Sequence, residues 1–241
     1  MKRVEYPSGD SQLVGILEDD GFEDCVILCH GLMADKNSNT LFSSLATSLR
    51  NKNIASFRFD FTGCGETRSA PLSLSKMRED LGKTLQIIDD IDYKRVFFFF
   101  FSLGGEIALE ENEKRKILLS PYLEEDKSTI AKFRKKLNGQ SQGKILNKFG
   151  VEHIITEKFL DEMSAITLKE SLRKINNETL MIIAENDKII PSKKYKHKTI
   201  LKNSKITIKS IETNHNYTTN RKKLFRSISL MIKENKHNMS S

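Results

Sequence analysis

The fold is decided by five consecutive phenylalanines followed by a serine, a leucine and two glycines: Phe97-Phe98-Phe99-Phe100-Phe101-Ser102-Leu103-Gly104-Gly105. An apolar run without polar interruption is typical of a central strand that is buried on both faces. The small residues that follow allow a helix to begin close to the end of that strand. The stretch therefore predicts a buried strand, a sharp turn at Ser102 and a helix.

The rest of the chain alternates apolar runs with helical patterns, which is typical of β-α units around a mostly parallel sheet. Strands are predicted at residues 2–6, 12–17, 25–29, 54–59, 97–101, 116–120, 180–184 and 206–211, the first two as an antiparallel hairpin. Helices with one apolar face are predicted around residues 41–49, 75–90 and 224–231. The predicted fold class is α/β, with a mostly parallel, doubly wound sheet.

Residues 122–177 interrupt this alternation with charged, mostly helical sequence and a loop-like stretch at 138–143. Such an insertion does not fit the sheet, and we expect a small helical cap over the strand ends, where open α/β sheets bind ligands. A length of 241 residues fits one domain, residues 1–241, which includes the cap. Three phenylalanines of the predicted cap are candidates for the pocket wall or, as we favour, for the core of the cap: Phe133, Phe149 and Phe159.

Composition limits the classes of function. The net charge of +8 is spread over most segments, which indicates a solvated basic surface, and only residues 188–209 approach the basic stripe that nucleic acid needs. No nucleic-acid partner is therefore expected. Cys25, Cys29 and Cys64 form no C-x-x-C pair and are predicted to be reduced structural thiols. No cluster has metal-ligand spacing, so neither a metal nor an organic cofactor is expected.

The sequence contains neither a recognisable signal peptide nor a membrane-spanning segment, and these two observations lead to an expected location. The segment Met1 to Pro7 is charged and has no apolar core of signal-peptide length. No later apolar run is long enough to cross a bilayer. We therefore expect a cytoplasmic protein without stable membrane insertion, while the sequence leaves its oligomeric state open.

Five short motifs occur in a fixed order over nearly the whole chain. They are the loop His30-Gly31-Leu32-Met33 after a strand, the stretch Arg58-Phe59-Asp60-Phe61-Thr62-Gly63-Cys64-Gly65-Glu66-Thr67, the turn at Ser102, and the loops Asn186-Asp187 and Asn214-His215 after the last two strands. Together they resemble the α/β-hydrolase superfamily of serine esterase and lipase type. The similarity points to its small cinnamoyl-esterase-like and serine-aminopeptidase-like members.

The resemblance implies a nucleophile at Ser102, an acid at Asp187 and a base at His215, in the order expected of this fold. A serine hydroxyl is a poor nucleophile at neutral pH, so it needs a neutral imidazole to accept its proton and a carboxylate to orient that imidazole. The backbone N–H groups of Leu32 and Leu103 are the expected oxyanion-hole donors. Leu32 and Met33 are also expected to contact the substrate, a small carboxylic ester or amide.

Each of these residues also has a structural interpretation. Ser102 alone fits an ordinary helix N-cap, and Asp187 fits a cap for the helix that begins near residue 191. Asp161 and Glu212 are weaker candidates for the acid. Four other histidines are rivals for the base: His30 in the predicted oxyanion loop, His153 in the cap, His197 in a lysine-rich helix and His237 in the C-terminal tail. Only His215 lies in the loop after the final strand, which favours it as the base.

Phe100 departs from the motif that this family has around its nucleophile. It occupies the first glycine position of G-x-S-x-G, where a small residue lets strand and helix approach each other closely. Overpacking at such a point commonly costs about 1–3 kcal/mol, and the backbone shift that relieves it slows a reaction. The sequence therefore supports two main hypotheses: an active serine hydrolase, or a catalytically weakened binding or regulatory protein with the same fold. A third and weaker one, suggested by the pI of about 9.2, is a basic protein that binds nucleic acid or a membrane surface.

Overall fold

The structure, a computed structural model, describes residues 1–68, 70–110 and 116–237. Eight strands form the main sheet: β1 (Lys2–Ser8), β2 (Ser11–Glu18), β3 (Asp24–Cys29), β4 (Ala55–Phe59), β5 (Arg95–Phe101), β6 (Lys116–Leu119), β9 (Thr179–Ala184) and β10 (Ile206–Ile211). Two further strands form a separate hairpin: β7 (Gln142–Leu146) and β8 (Glu152–Thr156). The helices are α1 (Leu41–Arg50), α2 (Leu74–Asp89), α3 (Leu103–Ile107), α4 (Lys127–Leu137), α5 (Glu157–Ser164), α6 (Leu168–Arg173), α7 (Lys198–Leu201) and α8 (Arg221–His237).

The strand order in the main sheet is β1-β2-β4-β3-β5-β6-β9-β10. The pairs β1–β2 and β2–β4 are antiparallel, whereas every other neighbouring pair is parallel. The predicted mostly parallel sheet and its opening hairpin are therefore confirmed. Because the parallel strands all end at the same edge, the loops after β3, β5, β9 and β10 lie together there.

The phenylalanines of β5 alternate between the two faces of the sheet. Phe97, Phe99 and Phe101 belong to the hydrophobic cluster that includes residues of α1 and α8. Phe98 and Phe100 belong to the larger cluster on the opposite face, which includes residues of α2. Strand β5 is thus covered on both sides, as its uninterrupted apolar sequence predicts.

The segment between β6 and β9 lies outside the main sheet and contains more than the predicted helices. Helices α4, α5 and α6 are present, and between them β7 and β8 pair as an antiparallel hairpin. We refer to residues 142–156 as the cap hairpin and keep the name cap for residues 122–177. The hairpin contacts the loop after β4, since the Leu72 N–H donates to the Ile154 carbonyl at 2.9 Å.

Helix α3 is only one turn long and continues into a 3₁₀ turn, Ala108–Glu110. Residues 111–115, which follow this turn, lie outside the described residues. Across the described part of the chain, no helix is both long enough and apolar enough to span a bilayer.

Candidate active site

Ser102 sits at the turn between β5 and α3 in a backbone conformation that few non-glycine residues adopt, with φ 55° and ψ −120°. Three backbone hydrogen bonds hold it there. Its N–H donates to the Leu119 carbonyl at 2.9 Å, and its own carbonyl accepts from the N–H groups of Gly105 and Tyr122, each at 2.9 Å. Ser102 occupies the N-cap position of α3, but its side chain accepts no capping hydrogen bond.

Glycines surround Ser102 where backbone and side chain come closest. A Cβ at Gly31 would lie 2.9 Å from the Cβ of Ser102, and a Cβ at Gly104 would lie 2.6 Å from the His30 carbonyl oxygen. Both contacts are shorter than Cβ atoms tolerate. The glycines therefore allow the loop after β3, the serine turn and α3 to pack directly against one another.

Phe100 fits behind this turn without breaking the sheet. It pairs with Cys29 of β3 and Leu118 of β6, and the ladder continues to Phe101. Its ring is fully buried, with its centroid 5.3 Å from that of Phe98. The Phe100 ring lies on the face of the sheet opposite Phe101. Phe101 is the residue whose ring packs against His215, at a centroid distance of 4.9 Å.

His215 and Asp187 converge on Ser102 from the loops after β10 and β9. His215 Nδ1 lies 2.6 Å from Asp187 Oδ2, and its Nε2 lies 3.2 Å from Ser102 Oγ. A carboxylate only accepts hydrogen bonds, so Nδ1 carries the proton and Nε2 is the acceptor for the serine hydroxyl. All three residues are buried, between 6% and 9% exposed.

The other oxygen of Asp187 is also occupied. Oδ1 accepts the backbone N–H groups of Ile189 and Ile190, each at 2.8 Å. These two bonds fix the carboxylate plane, so Oδ2 remains directed at His215. Asp187 therefore organises the loop that follows it and contacts the imidazole as well.

The rival candidates for the acid and the base have other partners or other settings. Asp161 pairs with Arg134 on the surface, and Glu212 is exposed. His197 is exposed and caps α7, and His237 lies in α8. His153 bonds the Gly63 carbonyl at 3.0 Å.

His30 supports the loop after β3, residues 30–38, which we call the β3 loop. Its Nε2 accepts the Phe61 N–H at 3.2 Å, which leaves the proton on Nδ1 to be donated to the Gly31 carbonyl at 2.8 Å. Burial lowers the pKa of His30, which keeps the ring neutral. The Gly31 carbonyl also accepts the Ala34 N–H at 3.3 Å, which closes a tight turn over Leu32 and Met33.

The stretch from Arg58 to Thr67 supplies a second support for the β3 loop. Asp60 is fully buried and accepts both the backbone N–H of Lys36, at 2.7 Å, and its ammonium group, at 2.6 Å. Glu66 adds a backbone N–H to Asp60 at 3.0 Å. A Cβ at Gly65 would lie 2.1 Å from the Asp60 carboxyl carbon, so only glycine fits there. The motif thus ties the loop after β4 to the β3 loop.

A cavity of about 620 Å³ opens beside Ser102. Its wall includes the predicted residues Leu32, Met33, Leu103 and His215. Of the three cap phenylalanines, Phe149 lines it, whereas Phe159 is fully buried in the hydrophobic core and Phe133 packs against that core. Several other wall residues come from distant segments and were not predicted from the sequence: Phe101, Tyr122, Asn147, His153, Met163 and Ile190.

Metal-ligating residues do not cluster in the part of the chain that the structure describes: no group of three or more His, Cys, Asp or Glu side chains is arranged to hold an ion. The three cysteines are reduced thiols, and all three are buried. Burial raises the pKa of the Cys25 and Cys64 thiols, which disfavours the reactive thiolate.

Solved structures share this architecture at low sequence identity. Est1E from Butyrivibrio proteoclasticus, solved with ferulic acid bound, superposes with a TM-score of 0.77 at 15% identity, covering 96% of this chain and 98% of that chain. The esterase Pf2001 from Pyrococcus furiosus gives 0.73 at 18%, covering 97% and 89%. Alpha/beta hydrolase domain-containing protein 10 from mouse gives 0.67 at 16%, covering 97% and 99%. No family model and no curated protein matches the sequence.

Proposed function

Because the chain has the α/β-hydrolase fold, we propose that it is a serine hydrolase that cleaves a small carboxylic ester or amide through an acyl-enzyme on Ser102. One observation carries the proposal: His215 lies between Asp187 and Ser102, within hydrogen-bond distance of both. This is the arrangement that turns a serine hydroxyl into a nucleophile.

In the proposed acylation step, His215 Nε2 accepts the hydroxyl proton while Ser102 Oγ bonds to the substrate carbonyl carbon. The tetrahedral intermediate then collapses, the bond to the leaving group breaks, and the leaving oxygen or nitrogen takes the proton from His215. Deacylation repeats the sequence with water, which gives its proton to His215 and releases the carboxylic acid. Ser102 regains its proton, so the enzyme returns to its starting state.

Asp187 acts through His215. Its carboxylate accepts a hydrogen bond from Nδ1–H, which leaves Nε2 free to accept from Ser102, and its negative charge stabilises the imidazolium that forms in each step. Two backbone N–H groups hold that carboxylate in place, so the imidazole needs no reorganisation during the reaction.

The Leu32 and Leu103 N–H groups are the proposed donors to the oxyanion. Leu103 is the first residue of α3, where a backbone N–H has no partner within the helix. Leu32 lies in the tight turn that His30 supports, and both residues border the cavity at Ser102.

The cavity beside Ser102 is suited to bind the acyl or aryl group of the substrate. Leu32, Met33 and Phe101 provide apolar wall next to Ser102. The ferulic acid bound to Est1E is an aromatic carboxylic acid, which agrees with such a pocket. The proposed chemistry requires neither a metal nor an organic cofactor.

Covalent labelling tests this proposal. A fluorophosphonate probe should label the wild-type protein at one serine and inhibit hydrolysis of a chromogenic short-chain ester. Ser102→Ala should abolish both the labelling and the hydrolysis. Ser210→Ala is the matched control, because Ser210 is exposed on the edge strand β10, and it should behave as the wild type. An unlabelled wild type, or a Ser102→Ala variant that labels normally, would refute the proposal.

Phe100 gives the second candidate function, a hydrolase-fold binding or regulatory protein with a weakened serine turn. The observation that favours it is a large, fully buried ring at a position where the fold's motif has glycine. Under this alternative Phe100→Gly should raise esterase activity strongly. The active-hydrolase proposal expects a wild type that is already active, with no such gain in the variant.

A further inference from the structure

An asparagine at the turn of the cap hairpin joins the cap to the β3 loop. Asn147 Nδ2 lies 2.9 Å from the Met33 carbonyl oxygen. Its Oδ1 accepts the backbone N–H groups of Phe149 at 2.9 Å and of Val151 at 3.0 Å. One side chain therefore shapes the hairpin turn with its oxygen and reaches the β3 loop with its nitrogen.

The orientation of the Asn147 amide follows from these partners. Two backbone N–H groups need an acceptor, so the oxygen must face the hairpin turn. The NH₂ group then faces the Met33 carbonyl, which can only accept. Reversing the amide would place donor against donor on one side and acceptor against acceptor on the other, so the contact has one satisfactory arrangement.

The cap hairpin on which Asn147 sits is itself held against the loop after β4. His153 is almost fully buried and bonds the Gly63 carbonyl through Nδ1 at 3.0 Å, while its Nε2 lies 3.5 Å from Asn147 Nδ2. The Leu72 N–H donates to the Ile154 carbonyl at 2.9 Å. These contacts make the hairpin a fixed support for Asn147.

Met33 needs such a support because its φ of 53° is in the left-handed region, which non-glycine residues adopt only when their surroundings hold them there. It follows Leu32 in the turn closed by the Ala34 N–H and the Gly31 carbonyl. The Met33 carbonyl and the Ala34 N–H belong to one planar peptide unit, so the bond from Asn147 also orients the N–H that closes the turn around Leu32.

We propose that Asn147 is a positioning residue, which holds Met33 and thereby fixes the Leu32 amide beside Ser102. Asn147 acts through the β3 loop and touches no reacting atom. The cap hairpin is then a permanent part of the oxyanion site as well as a wall of the cavity, because Phe149 and Val151 line the cavity from the same turn. The expected effect on rate rests on the proposed hydrolase function, whereas the structural link does not.

The variant Asn147→Asp separates the two roles of this side chain. A carboxylate still accepts the N–H groups of Phe149 and Val151, but it donates nothing to the Met33 carbonyl and repels it. We expect kcat for a chromogenic ester to fall about 10–100-fold with KM within about threefold of wild type, since a misplaced oxyanion donor weakens mainly the transition state. Asn147→Ala, which also loses the hairpin turn, should raise KM in addition.

Lys144→Ala is the matched control on the same hairpin. Lys144 forms an exposed ion pair with Glu152 at 2.7 Å on the cap hairpin. Its loss should leave kcat and KM at wild-type values.

Hydrogen exchange gives a readout that does not depend on activity. In Asn147→Asp, backbone amides of the β3 loop should exchange at least tenfold faster than in wild type, while those of α2 stay unchanged. Wild-type exchange in the β3 loop would overturn the proposal, and so would faster exchange with an unchanged kcat. If the wild-type protein hydrolyses no ester, the proposed function fails, and the exchange experiment still decides whether Asn147 holds the β3 loop.

Discussion

At the scale of single residues, Ser102 combines a strained backbone with a contact to His215. A residue held in a sparsely populated region costs about 1–3 kcal/mol, and such residues cluster at functional sites. Here three backbone hydrogen bonds stabilise the conformation, and the hydroxyl points to an imidazole at 3.2 Å. The strain is thus located at the proposed nucleophile.

The variant Asp187→Asn tests the role of the carboxylate. The amide retains one oxygen for the N–H groups of Ile189 and Ile190. Its NH₂ would then face His215 Nδ1, which forces the proton onto Nε2 and removes the acceptor for Ser102. We expect kcat for a chromogenic ester to fall about 10³–10⁴-fold with unchanged unfolding free energy to within about 1 kcal/mol.

Glu212→Gln is the control for that experiment, because Glu212 lies in the loop before His215 and is exposed. It should retain the wild-type kcat. An Asp187→Asn variant as active as the control would exclude Asp187 from the mechanism.

Some residues of the site could be predicted from sequence because their position in a motif carries the information. Ser102, Asp187 and His215 each follow a predicted strand, and the order of those strands is enough to bring the three together. Asn147 and Lys36 carry no such signal. Their roles depend on contacts with Met33 and Asp60, and those contacts exist only in the folded chain.

At the scale of secondary-structure elements, α3 packs against β3 through Gly104. A Cβ there would lie 2.6 Å from the His30 carbonyl and 2.9 Å from the Cys29 carbonyl, and backbone atoms cannot move aside easily. We expect Gly104→Ala to lower the unfolding free energy by about 1–3 kcal/mol, measured by urea denaturation.

Gly82→Ala is the matched glycine control, since Gly82 lies within α2 and a Cβ there meets nothing within 4 Å. Alanine favours the helix, so this variant should gain about 0.5–1 kcal/mol. If Gly104→Ala also proved stabilising, the close contact between α3 and β3 would be wrong.

The elements themselves were predicted unevenly. Helix α2 was predicted from the spacing of Met77, Leu81, Leu85 and Ile88, which form its buried face. The cap hairpin was missed because β7 and β8 have five residues each and only a few of them are buried, so alternation is weak. Hydrogen bonds to the loop after β4, far away in sequence, help to hold the hairpin in place.

At the scale of the whole molecule, stability should depend on pH through two buried histidines. Burial lowers the pKa of His30 and of His153 below the usual value of 6.5. His30 Nε2 accepts the Phe61 N–H and His153 Nε2 faces the Asn147 NH₂ group, and a ring nitrogen that accepts requires the neutral form. The unfolded chain then binds protons that the folded chain does not, as pH falls below about 6.5. The unfolding free energy should therefore be constant with respect to these groups above pH 6.5 and decrease below it.

Urea denaturation at pH 7.5, 6.5 and 5.5 measures this dependence. Each histidine contributes a slope of at most about 1.4 kcal/mol per pH unit. His153→Asn should reduce the slope, because its amide can still donate to the Gly63 carbonyl but does not titrate. An unfolding free energy that is higher at pH 5.5 than at pH 6.5 would contradict the assignment of both rings as neutral.

The overall architecture was the most predictable level, because alternating strands and helices and five ordered motifs define it redundantly. The effect of Phe100 was not predictable. Its consequence depends on the space behind β5, which α3 and its neighbours determine, and the structure accommodates the ring with an unbroken strand ladder.

The central claim is that Ser102 forms a covalent acyl intermediate, and intact-protein mass spectrometry during turnover of a chromogenic ester tests it most directly. Rapid acid quenching should trap one acyl group per chain, and peptide mapping should place it on Ser102. The adduct should be absent from Ser102→Ala and present in Ser210→Ala. Steady hydrolysis without an adduct on Ser102, or an adduct that persists in Ser102→Ala, would contradict the claim.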